Sequence, residues 1–183
     1  MIHRYDTLES TNETAKELAR AGAVHGTVVV ARQQSAGKGQ RGNSFFSPPD
    51  SGLYVSFVLR PEGSVLRPEG SVLDTPDQLT VWAARQVCAA IHELTDLSPR
   101  IKPVNDVLLD GKKVCGILTE AQTISGSSMP QWLVLGIGIN VSTPADAFPP
   151  ELRDKATSLF PDGDAPISNE QLLDELTKRI VHS

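Results

Sequence analysis

The sequence Thr27-Val-Val-Val-Ala31 leads into a glycine-rich stretch, which reads Gln34-Ser-Ala-Gly-Lys-Gly-Gln-Arg-Gly-Asn-Ser-Phe-Phe-Ser47. Apolar and β-branched residues favour buried strands, so we predict a strand from Gly26 to Gln33. Glycines let a ligand come close to the main chain, and the cationic side chains Lys38 and Arg41 lie between them. The pattern predicts an anion-binding loop at the end of a strand.

A solvated surface connection has a similar composition, so the loop by itself does not establish a binding site. The Walker pattern Gly-x-x-x-x-Gly-Lys-Ser/Thr does not occur in the chain. Gly37, Gly39 and Gly42 have the spacing of a dinucleotide-binding loop, but no helix-like sequence follows them. The function of the loop therefore depends on other motifs in the chain.

The composition excludes several classes of protein. The chain has 183 residues and a formal net charge of −5, which fits one acidic domain over residues 1–183 and argues against nucleic acid as the main partner. Its four histidines and two cysteines are scattered without the spacing of metal ligands. No signal peptide and no membrane-spanning apolar run is apparent, so we expect a cytoplasmic protein that contacts neither DNA nor a membrane.

Periodic apolar residues and turn signals predict strands that alternate with helices. Two capping-box spacings, Ser10 with Glu13 and Ser168 with Gln171, each predict the start of a helix. The predicted elements are a helix over 11–21, a strand over 52–59, a helix over 78–94, a hairpin turning at Asp110-Gly111, a strand over 133–141, and helices over 151–158 and after Ser168. This order predicts an α/β (α+β) fold, with a mixed, mainly antiparallel sheet flanked by helices that cover one side.

A heptapeptide is duplicated in the middle of the chain. Leu59-Arg-Pro-Glu-Gly-Ser-Val65 recurs unchanged as the segment from Leu66 to Val72. Two copies of seven residues are too short for a solenoid, which is built from longer and more numerous units. We interpret the repeat as a neutral tandem duplication in a loop.

Four motifs follow one another along the chain: Ser10-Thr-Asn12, Gln34-Ser-Ala-Gly-Lys-Gly39, Lys102-x-x-Asn105-Asp106 with Asp110-Gly-Lys-Lys-Val-Cys-Gly-Ile-Leu118, and Gly136-Ile-Gly-Ile-Asn-Val141. In this order they resemble the catalytic domain of biotin protein ligases, the biotin–[acetyl-CoA-carboxylase] ligases, over roughly residues 5–180. The resemblance is to the short form, which lacks a DNA-binding domain. The small β-domain that follows the catalytic domain in this family has no counterpart before Ser183.

The resemblance implies an ATP-dependent reaction in two steps, with Mg²⁺ accompanying the nucleotide. Biotin is activated to biotinyl-5′-AMP, and the biotinyl group then passes to a lysine of the biotin carboxyl-carrier domain of a biotin-dependent carboxylase. The first step brings a carboxylate to a phosphate, so cations and main-chain amides must offset the repulsion between two anions. The oligomeric state stays open, with a homodimer as one option.

The resemblance also assigns roles to individual residues. Lys113 and Asp106 are the catalytic candidates: Lys113 lies beside the carboxylate and phosphate, and Asp106 orients or deprotonates the incoming lysine. The candidates for biotin binding are Ser10, Thr11, Asn12, Gln34, Gly37, Lys38, Gly39, Gln40 and Lys113. The candidates for ATP and adenylate binding are Lys38, Gln40, Arg41, Asn43, Phe45, Lys102, Asn105 and Asn140. No residue is assigned to a metal.

Each assignment has an ordinary structural alternative: Lys113 as a hairpin lysine, Asp106 as a turn cap, Asn140 as a strand-end amide. The chain also departs from the family pattern, since Gln40 and Asn43 stand where the family has arginines. Because these amides carry no charge, we expect weaker retention of the adenylate. Two other functions remain open, a non-catalytic biotin-binding relative and a related lipoate-type acyl ligase.

Pro103 is a further departure, since it follows Lys102 where the family usually has tryptophan. Proline lacks an amide donor and has a fixed φ, so it is tolerated at the edge or start of a strand but not in a central ladder. We therefore expect Pro103 to lie at the margin of the sheet.

Overall fold

The computed structural model describes residues 1–60, 75–103, 105–123, 125–126 and 130–181. Apart from Leu59 and Arg60, the heptapeptide duplication lies outside the described residues. The elements, in chain order, are β1 (Ile2–Leu8), α1 (Thr11–Arg20), β2 (Thr27–Gln34), β3 (Gly52–Leu59), α2 (Pro76–Thr95), β4 (Arg100–Lys102), β5 (Asp106–Leu109), β6 (Lys112–Thr123), β7 (Pro130–Asn140) and α3 (Asn169–Val181).

The strands form one sheet in the order β1-β2-β3-β7-β6-β5-β4. β1 pairs with β2 in parallel, and the other five pairings are antiparallel. The prediction of a mixed, mainly antiparallel sheet is confirmed. Pro103 follows the last residue of β4, an edge strand, where a missing amide donor interrupts no central ladder.

The hairpin between β5 and β6 has the predicted two-residue turn. Asp110 and Gly111 have φ angles of 51° and 81°, so both lie in the left-handed region that a type I′ turn requires. The turn brings the two ends of the hairpin together in an antiparallel register, with Asp106 opposite Gly116. The register places the Asp106 and Lys113 side chains close to each other.

The helices cover both faces of the sheet, so the prediction that they cover one side is wrong. α2 and α3 pack on one face, against alternate residues of the central strands that include Phe57, Leu135 and Ile137. α1 packs on the other face through Ala15 and Ala19, among other residues. Strand residues alternate between faces, and β3 and β7 carry apolar side chains on both, which gives α1 a second surface to cover.

The two predicted capping boxes have different outcomes. At α3, the Gln171 amide donates to Ser168 Oγ at 3.1 Å, and the Ser168 amide donates to Gln171 Oε1 at 2.9 Å, as predicted. At α1, Ser10 makes no capping bond through its side chain. Glu13 hydrogen-bonds the ammonium groups of Lys16 and Lys38 instead, because two cations within reach compete with a main-chain amide.

The helix predicted over 151–158 is wrong. The segment forms turns and then runs beside β6, where the Lys113 amide donates to Lys155 O at 2.8 Å. The Thr157 amide in turn donates to Lys113 O at 2.9 Å. These long-range bonds use backbone groups that a helix would have paired internally. The segment thereby braces the strand that carries Lys113.

None of the helices in the described ranges is both long and apolar enough to cross a membrane.

Candidate functional site

A pocket of about 330 Å³ opens between the start of α1, the glycine loop after β2, and strands β6 and β7. It brings together every candidate from the sequence except Gly37 and Asn140. The candidates in its wall are Ser10, Thr11, Asn12, Gln34, Lys38, Gly39, Gln40, Arg41, Asn43, Phe45, Lys102, Asn105, Asp106 and Lys113.

Gln34 is held in one orientation at the start of α1. The Thr11 amide donates to Gln34 Oε1 at 2.8 Å, and the Gln34 Nε2 group donates to Ser47 Oγ at 2.8 Å. A main-chain amide can only donate, so the oxygen of the Gln34 carboxamide must face Thr11 and the nitrogen must face Ser47. One N–H of Gln34 is left over as a donor for a ligand.

Asn12 is buried, with 3 % of its surface exposed, and it is also held in one orientation. Its Nδ2 group donates to Glu120 Oε2 at 2.9 Å, and its Oδ1 accepts from the Ser56 hydroxyl at 2.6 Å. The sequence analysis missed Glu120 and Ser56. A buried serine within the apolar strand β3 was a signal for the second of them. Nothing in the local sequence indicated the first.

Lys113 and Asp106 form an ion pair in the wall of the pocket, with 2.7 Å between Lys113 Nζ and Asp106 Oδ1. Their side chains are 33 % and 24 % exposed, so a ligand can reach both. Lys113 Nζ also lies 5.9 Å from the centre of the Phe45 ring, within the range of a cation–π interaction. A cation and a potential proton acceptor thus lie side by side.

The glycine loop forms a compact turn above the pocket. The Gly39 amide donates to Asn43 O at 2.7 Å, and Arg41 has a φ angle of 56°, in the left-handed region. Gln40 and Asn43, the two departures from the family pattern, flank this turn and line the pocket. Gln40 and Asn43 therefore both belong to the wall of the pocket.

Lys38 pairs with Glu13 of α1, and Glu13 also contacts Lys16 at 2.7 Å. These hydrogen bonds, from Lys16 first and Lys38 second, hold the pKa of Glu13 below its ordinary value. Glu13 thus remains ionised and ties the glycine loop to α1.

Gly37 shapes the loop and does not line the pocket. A β-carbon at Gly37 would lie 2.5 Å from Phe45 O and 2.7 Å from Ser47 Oγ, which leaves no room for a side chain. The Phe45 amide donates to Gly37 O at 2.8 Å. Gly37 therefore lets the first and last segments of the glycine loop approach each other.

Asn140 lies at the end of β7 but not in the pocket wall. It is 3 % exposed, and its Nδ2 group donates to Thr157 O at 3.1 Å. This contact ties β7 to the segment that braces Lys113. The assignment of Asn140 to the nucleotide stays a prediction.

Three glycines make room for the pocket. A β-carbon at Gly136 would overlap Asn12 Oδ1, and one at Gly138 would lie 2.5 Å from the Phe45 ring. One at Gly116 would lie 3.1 Å from both Lys113 Cε and the Phe45 ring. Gly136 and Gly138 thus lie where Asn12 and Phe45 approach the backbone of β7 closely.

The described residues contain no group of three or more His, Cys, Asp or Glu side chains that could hold a metal ion. The carboxylates nearest the pocket are paired with cations: Asp106 with Lys113, Glu13 with Lys16 and Lys38, and Glu120 with Lys16.

Residues 5–140 match the biotin/lipoate A/B protein ligase family, so the chain belongs to this family. It is 41 % identical over 155 residues to the bifunctional ligase/repressor BirA of Bacillus subtilis. This match covers 85 % of this chain and 45 % of that protein. It is 38 % identical over 141 residues to the biotin–[acetyl-CoA-carboxylase] ligase of Paracoccus denitrificans, covering 76 % and 54 %. The chain thus spans about half the length of these relatives.

The fold agrees with this assignment. The structure of a biotin protein ligase from Aquifex aeolicus in complex with biotin and ATP superposes with a TM-score of 0.76 at 30 % identity. The superposition covers 99 % of this chain and 68 % of that one. The predicted biotin/lipoate protein ligase fold is confirmed.

We predict that Gly136→Ala destabilises the protein more than Gly116→Ala does. The first substitution forces Asn12 out of its hydrogen bonds to Glu120 and Ser56, whereas the second meets the end of the Lys113 side chain and the Phe45 ring at 3.1 Å. Overpacking of this kind costs about 1–3 kcal/mol in the free energy of unfolding. Urea unfolding of both variants measures the difference, and equal losses would contradict the role assigned to Gly136.

Proposed function

We propose that the protein is an ATP-dependent biotin protein ligase, which converts biotin to biotinyl-5′-AMP and transfers the biotinyl group to a lysine of a carboxyl-carrier domain. One observation carries the proposal beyond family membership. The ion pair of Lys113 and Asp106 shares a single pocket with Ser10, Thr11 and Gln34. The pocket thus combines polar groups suited to the head of a ligand with a charged pair suited to its reacting end.

In the first step, a carboxylate oxygen of biotin attacks the α-phosphorus of ATP. The bond from that phosphorus to the bridging oxygen of the β-phosphate breaks, and pyrophosphate leaves. Negative charge accumulates on the α-phosphate oxygens during the attack, and the Lys113 ammonium is the group placed to stabilise it. In this proposal Mg²⁺ accompanies ATP and would offset part of the negative charge of its phosphates.

In the second step, the amine of the carrier lysine attacks the acyl carbon of the adenylate. The bond from that carbon to the phosphate oxygen breaks, AMP leaves with the electron pair, and the amine gives up a proton. Asp106 is the acceptor for this proton once Lys113 has moved to the phosphate. The same pair thus serves both steps in turn.

The partner we propose is the carrier domain of a biotin-dependent carboxylase, and the compartment is the cytoplasm. Residues 1–183 act in this proposal as one catalytic domain. The known relatives named biotin–[acetyl-CoA-carboxylase] ligase support the choice of partner.

The decisive test is incubation of the purified chain with biotin, ATP and a carrier domain. We expect biotin on the carrier lysine only when ATP is present, detected as a mass shift of the carrier. Binding of biotin by calorimetry without any labelling would favour a non-catalytic biotin-binding protein. Labelling by lipoate in place of biotin would favour a lipoate-type ligase.

Lys113→Ala should abolish formation of the adenylate and leave the fold intact. Biotin binding should weaken much less, because the head contacts come from other residues. Lys112→Ala is the matched control, since the Lys112 ammonium donates to Arg153 O at 3.0 Å and does not line the pocket. Pyrophosphate release from each variant is the measurement, and an unchanged rate in Lys113→Ala would remove Lys113 from the reaction.

Gln40→Arg combined with Asn43→Arg should slow the release of biotinyl-5′-AMP. Both side chains line the pocket, and each added guanidinium offers the phosphate a charged hydrogen bond. We expect release to slow by about tenfold or more, the factor that corresponds to one such bond. The rate of nonspecific labelling of bystander lysines reports the same leakage.

The charge-matched control is Gln78→Arg combined with Gln131→Arg, because both residues are exposed and neither lines the pocket. Equal release rates from the parent protein and the pocket variant would mean that residues 40 and 43 do not face the phosphate.

A further inference from the structure

Glu120 lies in β6 and takes no part in the chemistry above. Its two carboxylate oxygens have different partners: Oε2 accepts from Asn12 Nδ2 at 2.9 Å, and Oε1 accepts from Lys16 Nζ at 2.7 Å. The Lys16 side chain is 13 % exposed, and that of Glu120 is 30 % exposed. The carboxylate is thus held from both sides, beneath the start of α1.

The chemistry of a carboxylate determines which end of the Asn12 carboxamide faces it. An ionised carboxylate can only accept hydrogen bonds, so the amide nitrogen must point to Glu120 and the oxygen must point away from it. The Leu118 carbonyl accepts a longer bond from the same nitrogen, at 3.4 Å, and favours the same orientation. The oxygen then meets the Ser56 hydroxyl at 2.6 Å. It also lies against Gly136, a residue of the pocket wall, which has no side chain to cover it.

Lys16 holds the Glu120 carboxylate in place. Burial alone would lower the pKa of Lys16, but its hydrogen bonds to Glu120 and Glu13 outweigh this effect and raise the pKa above its ordinary value. The ammonium group is therefore a permanent partner of Glu120. A neutral side chain at this position would have to satisfy both a fixed cation and a carboxamide.

We propose that Glu120 is a positioning residue for ligand recognition: it fixes the Asn12 carboxamide with the oxygen as the hydrogen-bond acceptor that the pocket offers. The inference rests on the proposed function, because the ligand that such an acceptor suits is the cyclic urea of biotin, whose ring carries N–H donors. Gln34, oriented by Thr11, supplies a donor of the kind that the urea oxygen requires. Glu120 thereby contributes to ligand selectivity without touching the ligand.

The substitution Glu120→Gln tests this idea with almost no change of shape. The Lys16 ammonium should attract the new amide oxygen, which turns the new amide nitrogen towards Asn12. Two nitrogens cannot hydrogen-bond each other as donors, so Asn12 should rotate and present its own nitrogen to the pocket. The site would then present a hydrogen-bond donor where the parent protein presents an acceptor.

The readout is the preference for biotin over its cyclic carbamate analogues, in which one ureido N–H is replaced by an oxygen. Calorimetry on the purified chain gives both affinities. We expect Glu120→Gln to bind biotin about tenfold more weakly and to bind one of the two carbamates as well as or better than the parent protein does. The preference ratio therefore falls by about tenfold or more. Glu120→Ala removes the shorter of the two bonds from Asn12 Nδ2 and leaves the 3.4 Å bond to Leu118 O, so it should give an intermediate ratio.

Two further variants complete the experiment. Adding Lys16→Met to Glu120→Gln removes the cation that holds the new amide oxygen, so the preference for biotin should partly return. Glu170→Ala is the control, because Glu170 pairs with Arg4 away from the pocket. Its preference ratio should equal that of the parent protein.

If Glu120 had a purely structural role, its substitution would weaken the binding of both ligands by the same factor. That result, or unchanged affinities, would overturn this inference but not the proposed function. Failure of the parent protein to bind biotin at all would overturn the proposed function and this inference with it. Thermal unfolding of each variant establishes that the compared proteins are folded.

Discussion

The pocket depends on the absence of side chains at three neighbouring positions on one face of β6 and β7. Gly116 and Gly138 are direct partners across the two strands, and Gly136 lies opposite Leu118. The volume left by these glycines is taken by Asn12 and Phe45, which approach the sheet closely enough to line a cavity. Glycine within a strand weakens the sheet, so the rest of the structure has to compensate for this choice.

The compensation lies on the opposite face of the same strands. In β7 the glycines alternate with Ile137 and Ile139, which are buried beneath α2 and α3. Ile117 has the same position next to Gly116 in β6. Because successive residues of a strand point to opposite faces, one short sequence supplies an apolar core on one side and an open floor for a ligand on the other. Stability and binding are thus separated by the sheet.

The sequence predicted the features that depend on local patterns. The Asp110-Gly111 turn, the bounds of β3 and the capping box of α3 follow from residues close together in the chain, and all three are confirmed. The features it missed depend on partners far away. The segment 151–158 has helical periodicity, but its backbone groups form hydrogen bonds with those of Lys113. α1 packs on a face of the sheet that can be identified only once the strand order is known.

The same distinction holds for the site. The motifs that the sequence singled out do meet in one pocket, because each lies at the end of an element or in a turn beside it. Glu120 and Ser56 escaped notice because they act through Asn12, across 108 and 44 positions of the chain. A residue whose role is to orient another residue belongs to no sequence motif of its own, so it can be identified only from the three-dimensional structure.

The electrostatics of the site set a limit on how tightly an anion can bind. Lys38 and Lys113 already have carboxylate partners, Glu13 and Asp106. A phosphate that recruits either cation must replace an existing ion pair, so its gain is a difference between two pairs and not the full strength of one. Glu13 keeps Lys16 when Lys38 leaves, which makes the release of Lys38 less costly. In the proposed reaction, Lys38 is therefore the less costly of the two cations to recruit, and Asp106 becomes available as a proton acceptor when Lys113 moves to the phosphate.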